Sequence, residues 1–300
     1  MNRKALRKII SVLLVQAFFL VAVGFAQAVD VKVYVFTGGV IKTQTQYLIK
    51  DTRIGTPFDV PLPFFLIKHG KDWVAFDCGN NKQVAIDGVK WWGEPITKAY
   101  MPVMDLKQEF KEQIKMFGLK PGDLKALMIS HGHMDHAGAI DNFRGTNVPI
   151  YITKTEMDIV RKILADKTPN TPYILGEWEG LNELNIKEVN GVFDLFGDKT
   201  VILYPTPGHT MGHQSLYVKP TKGKAFLYTA DALYTLENMV KDIPPGLAAD
   251  IPQSLLNSTW YKMNEMAGIR IVPSHDPGYW KANKNWAPKQ FTAFEYDSTK

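Results

Sequence analysis

The chain has 300 residues, 45% of them hydrophobic, with 35 Lys and Arg against 30 Asp and Glu, for a formal net charge of +5. That apolar content supplies one large core and excludes a disordered or low-complexity chain. A lone cysteine, Cys78, excludes an intrachain disulfide scaffold.

Arg3, Lys4, Arg7 and Lys8 precede the apolar stretch Ile9–Val23, and Ala26-Gln27-Ala28 places small residues at the two positions that signal peptidase reads. Residues 1–28 therefore read as a signal peptide, its apolar stretch shorter than the ~20 residues of a spanning helix. Residues 29–300 read as one α/β domain. Cleavage after Ala28 removes four basic residues and no acidic ones, taking the charge from +5 to +1. The basicity belongs to the leader, so no nucleic-acid surface is expected. The expected location is periplasmic or secreted, with no stable membrane association once the leader is gone. Cys78 follows the apolar run Trp73–Phe76 and reads as a buried, inert thiol.

Along the chain, Val31–Phe36 and Tyr47–Ile49 read as short strands. Phe64–Lys68 and Trp73–Asp77 form a hairpin about a turn at residues 69–72, which sets His69 toward solvent. Val89–Met104 carries Trp91, Trp92, Tyr100, Met101 and Met104 among prolines and a glycine. It reads either as an aromatic lid or homodimer surface beside a site, or as a peripheral flap of core. Asp105–Phe117 has capping-box spacing at Asp105 and Gln108, one apolar face, and Gly118 to end it, the marks of a helix. A second helix starts at Thr153, with Glu156 three positions on and Met157, Val160 and Leu164 inward. A third spans about Pro252 to Ala267. Residues 168–190, punctuated by Pro, Gly and Asn, carry no clear signal.

Residues 131–136 read HGHMDH, three histidines and an aspartate in six positions, directly after the apolar run Leu124–Ile129. Imidazole and carboxylate are ligands preferred by a borderline Lewis acid such as Zn²⁺. Four donors on so short a loop exceed what one ion takes easily, which suggests two metals. Three other short β-rich runs also end in candidate ligands: Val201–Tyr204 before His209, Ala225–Tyr228 before Asp231, and Ile269–Val272 before His275. Sites in α/β proteins lie beyond the carboxyl ends of strands, so these residues are expected to converge on one sheet edge.

This pattern resembles the metallo-β-lactamase superfamily. The resemblance implies an αβ/βα four-layer sandwich holding two divalent metal ions per chain, zinc foremost. It implies that His131, His133 and His209 hold one ion, that Asp135, His136 and His275 hold the other, and that Asp231 bridges them. Two close cations repel, and a shared carboxylate and hydroxide offset the repulsion while the water between them is acidified toward neutrality. The strings TPGHTMGHQSLYV at 206–218, ADALYTLEN at 230–238 and IPPG at 243–246 resemble those of N-acyl-homoserine lactonases.

That narrower likeness implies a small-molecule substrate, an acyl-homoserine lactone or related ester, opened by the metal-bridging hydroxide. It gives Tyr234 the lactone carbonyl or ester oxygen as hydrogen-bond partner, and Asp135 the proton for the departing alkoxide. Other hydrolases on this scaffold are the alternative: a glyoxalase II-type thioesterase, an arylesterase or an organophosphate hydrolase. His213 is expected as a hydrogen-bonding neighbour of the ligands, and Asp77, by the same resemblance, as a tie between its strand and the metal loop. Gly208 and Gly212 are expected to bring backbone close to the ions or to adopt positive φ.

Overall fold

The computed structural model describes residues 29–282, 294–296 and 298. The proposed signal peptide, residues 1–28, lies outside the described residues. One sheet is built from β1 (Val31–Gln44), β2 (Pro57–His69), β3 (Asp72–Phe76), β4 (Met101–Val103), β5 (Ala126–Met128), β6 (Pro149–Thr153), β7 (Asn185–Val189) and β13 (Phe294–Glu295). Its order is β13-β1-β2-β3-β5-β6-β7, with β4 also paired to β1. The second sheet runs β12-β11-β10-β9-β8, from β8 (Phe193–Asp194), β9 (Val201–Pro205), β10 (Gln214–Val218), β11 (Phe226–Tyr228) and β12 (Arg270–Val272). Both sheets are mixed: β3, β5, β6 and β7 pair in parallel, as do β11 and β12, and the other pairs are antiparallel.

The sheets pack face to face, and alternate residues of each strand explain how. Phe65, Ile67, Val74, Phe76 and Met128 meet Val201, Leu203, Leu216, Phe226 and Tyr228 between the sheets. The intervening residues Phe64, Leu66, Ala75 and Leu127 face outward, under Phe110, Ile114, Met157, Val160 and Trp178. On the far side Leu227 and Ile271 pack against Met239 and Tyr261. A strand buried on both faces needs no polar alternation, which is why β2 and β5 read as near-continuous apolar runs. The helices that supply the outer layers include α1 (Lys82–Trp92), α2 (Glu94–Thr97), α3 (Phe110–Ile114), α4 (Lys154–Asp166), α5 (Leu175–Trp178), α6 (Leu236–Lys241) and α7 (Ile251–Met266). No helix among the described residues is long and apolar enough to cross a membrane.

Several local expectations are corrected. Tyr47–Ile49 is not a strand: Thr45 closes a 3-10 turn with Leu48 and Ile49, and Ile49 makes only an isolated bridge to Pro245. The Asp105 capping box forms, but the helix breaks at Glu109, whose backbone is extended and whose carboxylate caps a new turn through the Glu112 amide. His69 is buried, its ring stacked on Phe196 at 3.7 Å and its Nε2 2.7 Å from Asp198. The unassigned stretch 168–190 contains α5 and β7. The helix after Thr153 and the one ending near Gly268 have the expected bounds, and Thr153 accepts the Glu156 amide as a cap should.

Phe65 is fully buried between the sheets against Phe226, Tyr228 and Trp280. Phe65→Ala is expected to destabilise the fold by about 3–5 kcal/mol. The check is a lowered urea midpoint with unchanged m-value.

Candidate metal centre

The ends of β5, β9, β11 and β12 open onto one edge of the sandwich, and the seven candidate residues meet there. Their donor atoms fall into two groups, His131, His133, His209 and Asp231 in one and Asp135, His136 and His275 in the other, each within 4.8 Å internally. Asp231 lies between them. Its Oδ2 is 3.3 Å from His209 Nε2 and 3.7 Å from His131 Nε2, while its Oδ1 is 2.9 Å from both His136 Nε2 and His275 Nε2. Asp135 Oδ2 is 3.7 Å and 3.8 Å from the same two nitrogens.

Hydrogen bonds on the outer side of each ring decide which nitrogen faces inward. His209 Nδ1 donates to the Leu247 carbonyl at 2.9 Å, and His275 Nδ1 to the Pro61 carbonyl at 2.7 Å. His136 Nδ1 donates to Asp77 Oδ2 at 2.8 Å. The Ser130 hydroxyl is committed to Asp77, so it accepts from His131 Nδ1 at 3.0 Å. All four therefore turn Nε2 inward. His133 is turned the other way, with Nδ1 toward the centre.

His131 Nε2 and His133 Nδ1 consequently stand 3.1 and 3.0 Å from His209 Nε2. Lone pairs so placed repel unless a cation lies among them. Nitrogens bound tetrahedrally to zinc stand about 3.3 Å apart, close to this spacing. His136 Nε2 is buried and faces the Asp231 and Asp135 carboxylates, a donor set suited to a divalent ion. The donor set and its geometry fit a pair of divalent ions.

Charge supports the same assignment. Burial pushes the pKa of His131, His133 and His209 down, leaving neutral imidazoles. Burial also opposes the charged form of His136 and His275, but Asp231 and Asp135 outweigh it and raise both. Burial alone would raise Asp231; His136, His275 and His209 instead hold it well below the usual carboxylate range. A proton and a cation compete for the His136 and His275 nitrogens, so ion binding releases protons.

Support residues lie where the ligand loops need them. Asp77, at positive φ of 58°, accepts the Ser130 amide at 2.7 Å and hydroxyl at 2.9 Å besides His136, and so ties β3 to the ligand loop. Ala230, beside Asp231, also has positive φ, at 43°, a strained position for a residue with a Cβ. His213 is outside both donor groups: its Nε2 accepts the Asp231 amide and its Nδ1 meets Thr206 Oγ1. Gly208 has φ of 139°, and a Cβ at Gly212 would overlap the Glu156 backbone.

A cavity of about 290 Å³ opens over the cluster. His133, Asp135, His209, Asp231, Tyr234 and His275 form its floor, and Ile41, Leu48, Val60, Ile96, Met134 and Leu247 much of its wall. The 89–104 segment is divided between core and cavity. Trp92 is buried core, while Ile96, Ala99 and Tyr100 wall the cavity. Tyr47 and Leu247 carry no motif that marks them in the sequence; contiguity in space alone reveals them.

The sequence model of the metallo-beta-lactamase superfamily matches residues 63–275. The chain belongs to that superfamily. Among curated members it is 33% identical over 267 residues to the N-acyl homoserine lactonase AttM of Rhizobium radiobacter, covering 87% of this chain and 98% of the relative. It is 28% identical over 195 residues to the N-acyl homoserine lactonase AiiA of Bacillus thuringiensis subsp. kurstaki, covering 63% of this chain and 71% of that one. Among solved structures, an N-acyl homoserine lactone hydrolase with N-hexanoyl-L-homoserine bound at its catalytic metal centre superposes with a TM-score of 0.74 at 24% identity. That match covers 85% of this chain and 97% of the hydrolase, and shows the shared fold.

Asp77→Ala removes the acceptor that orients His136 and leaves the Ser130 amide unpaired. It is expected to weaken divalent-ion affinity about 10–100-fold, measured by competition with a chromophoric chelator.

Proposed function

We propose that this chain is a dinuclear-metal hydrolase that opens the lactone ring of N-acyl-homoserine lactones. One observation carries the reading: the Asp231 carboxylate turns one oxygen to each donor group, with the Tyr234 phenol in the same cavity. The names of the curated relatives favour the lactone over the other esters this scaffold hydrolyses.

When bound, the ion pair supplies Lewis acidity toward the ester and a water acidified enough to attack at neutral pH. Zinc suits the His and Asp donors, with iron, cobalt and manganese as competitors. Tyr234 Oη is 3.1 Å from His209 Nδ1, whose hydrogen also reaches the Leu247 carbonyl. The tyrosine oxygen is thus an acceptor there, and its own hydrogen is free to point into the cavity. Burial, with Asp231 and Tyr100 beside it, pushes the Tyr234 pKa well up, so it remains a phenol able to donate. It donates to the lactone carbonyl as negative charge develops on that oxygen, a contribution typically worth about 3 kcal/mol. Asp135 takes up the proton that the attacking water releases and passes it to the departing ring oxygen, leaving a carboxylate and an alcohol. The apolar wall covers the acyl chain.

The residue 1–28 leader directs the chain to the periplasm or the exterior. The first strand begins at Val31, whose amide is held by Thr221, so cleavage after Ala28 leaves that strand whole. Exported protein is expected to begin at Val29, which N-terminal sequencing or intact mass tests.

The purified protein is expected to contain two transition ions per chain by elemental analysis, and to lose lactonase activity on chelation. Tyr234→Phe is expected to retain both ions and lose at least about tenfold in kcat/KM. Ring opening is followed as proton release, beside a thioester, a phosphotriester and a β-lactam. Preference for one of those over acyl-homoserine lactones rejects the lactonase reading.

A further inference from the structure

Glu156 is the third residue of α4 and is fully buried. Its place after the Thr153 cap suggests nothing more than helix initiation, yet its carboxylate is turned inward to three donors from three separate segments. Oε1 accepts the Gly132 amide at 2.9 Å and the Tyr173 hydroxyl at 2.6 Å, and Oε2 accepts the Thr210 hydroxyl at 2.7 Å. A buried carboxylate is costly unless its oxygens are hydrogen-bonded, and these donors, with the start of α4, meet that requirement.

Each donor adjoins one of His131, His133 and His209. Gly132 lies between His131 and His133, and Thr210 follows His209. The Tyr173 ring stands edge-on to His133, centroids 4.7 Å apart at 83°. Burial and the neighbouring carboxylate raise the Tyr173 pKa, keeping its hydroxyl a donor. The surrounding backbone is clamped as well: Thr153 Oγ1 donates to Gly212 O at 2.6 Å, and a Cβ at Gly212 would overlap the Glu156 backbone. The loops carrying His131 and His133 on one side and His209 on the other come from different sheets. Among their shared partners, Glu156 is one side chain that bonds to both.

We propose that Glu156 is a positioning residue: its hydrogen bonds to Gly132, Tyr173 and Thr210 set the two loops at the separation that lets His131, His133 and His209 share one ion. This rests on the metal-centre reading and not on the choice of lactone as substrate.

The test uses the full protein loaded with cobalt(II), whose visible absorption reports ligand geometry. It compares Glu156→Ala, Glu156→Gln, and the double variant Tyr173→Phe with Thr210→Val. Glutamine retains an oxygen for Gly132 and Tyr173, and its amide can donate to Thr210 Oγ1. It is expected to keep the wild-type spectrum and kcat within about threefold. Glu156→Ala is expected to shift the cobalt bands and weaken one of the two ions about 10–100-fold. Its kcat is expected to fall at least about tenfold with KM changed less than threefold, since the substrate wall is untouched. The double variant, which keeps Glu156 and its helix, is expected to shift the same bands, and it decides the matter if Glu156→Ala does not fold. Wild-type spectra and ion affinities in the double variant overturn the proposal. So does a glutamine variant as impaired as alanine, which would assign the effect to charge. A wild-type protein that binds no pair of ions overturns the metal-centre reading itself, and the Glu156 assignment with it.

Discussion

Five buried imidazoles can face one another only if something outside the cluster decides which nitrogen of each ring carries the hydrogen. In this protein that constraint is met by acceptors set around the rim. The carbonyls of Leu247 and Pro61, the Asp77 carboxylate and the Ser130 hydroxyl each take an Nδ1 hydrogen, and four Nε2 atoms turn inward. A centre lined with lone pairs and the ionised Asp231 then favours cations. The surrounding architecture serves to deliver those acceptors.

The sandwich does so by burying its strands on both faces. Core packing between the sheets fixes the strand ends to within small tolerances, because a close-packed interior resists displacement. Loops that start from such ends inherit their precision. Asp77 makes this coupling direct, since one carboxylate terminates β3 and holds both Ser130 and His136. Strain at Asp77 and Ala230 is confined to the same edge, where neighbouring hydrogen bonds and packing hold the backbone in place.

Above the cluster, polar and apolar surfaces divide the work of recognition. The floor offers donors, acceptors and the Tyr234 hydroxyl; the walls are mostly apolar, with the Tyr47 and Tyr100 rings among Ile41, Leu48, Val60 and Leu247. A substrate with one hydrolysable polar head and an apolar tail matches that division. Tyr234 is itself oriented by His209, so the residue assigned to the carbonyl is placed by one assigned to an ion. Binding and chemistry therefore share one scaffold of hydrogen bonds.

Much of this was legible without coordinates. Strand-forming runs that each end in His or Asp announced an α/β edge site, since β-rich composition and ligand chemistry are local properties. The seven candidate residues, the His213 neighbour and the helix starting at Thr153 followed from spacing and residue type, whereas the division of the seven between two ions and the role of Asp77 came from the family resemblance. Other features are decided by contacts distant in sequence. Neither the break at Glu109 nor the burial of His69 under Phe196 follows from neighbouring residues, because long-range packing overrides local preference. The inward Nδ1 of His133, the cavity wall from Tyr47, Tyr100 and Leu247, and the inward turn of Glu156 likewise depend on distant partners, from 17 positions away for Glu156 and Tyr173 to 76 for His133 and His209. Residue type determined which atoms could bind a cation; only the folded chain decided which lone pairs face it, because hydrogen-bond direction is a property of three-dimensional placement.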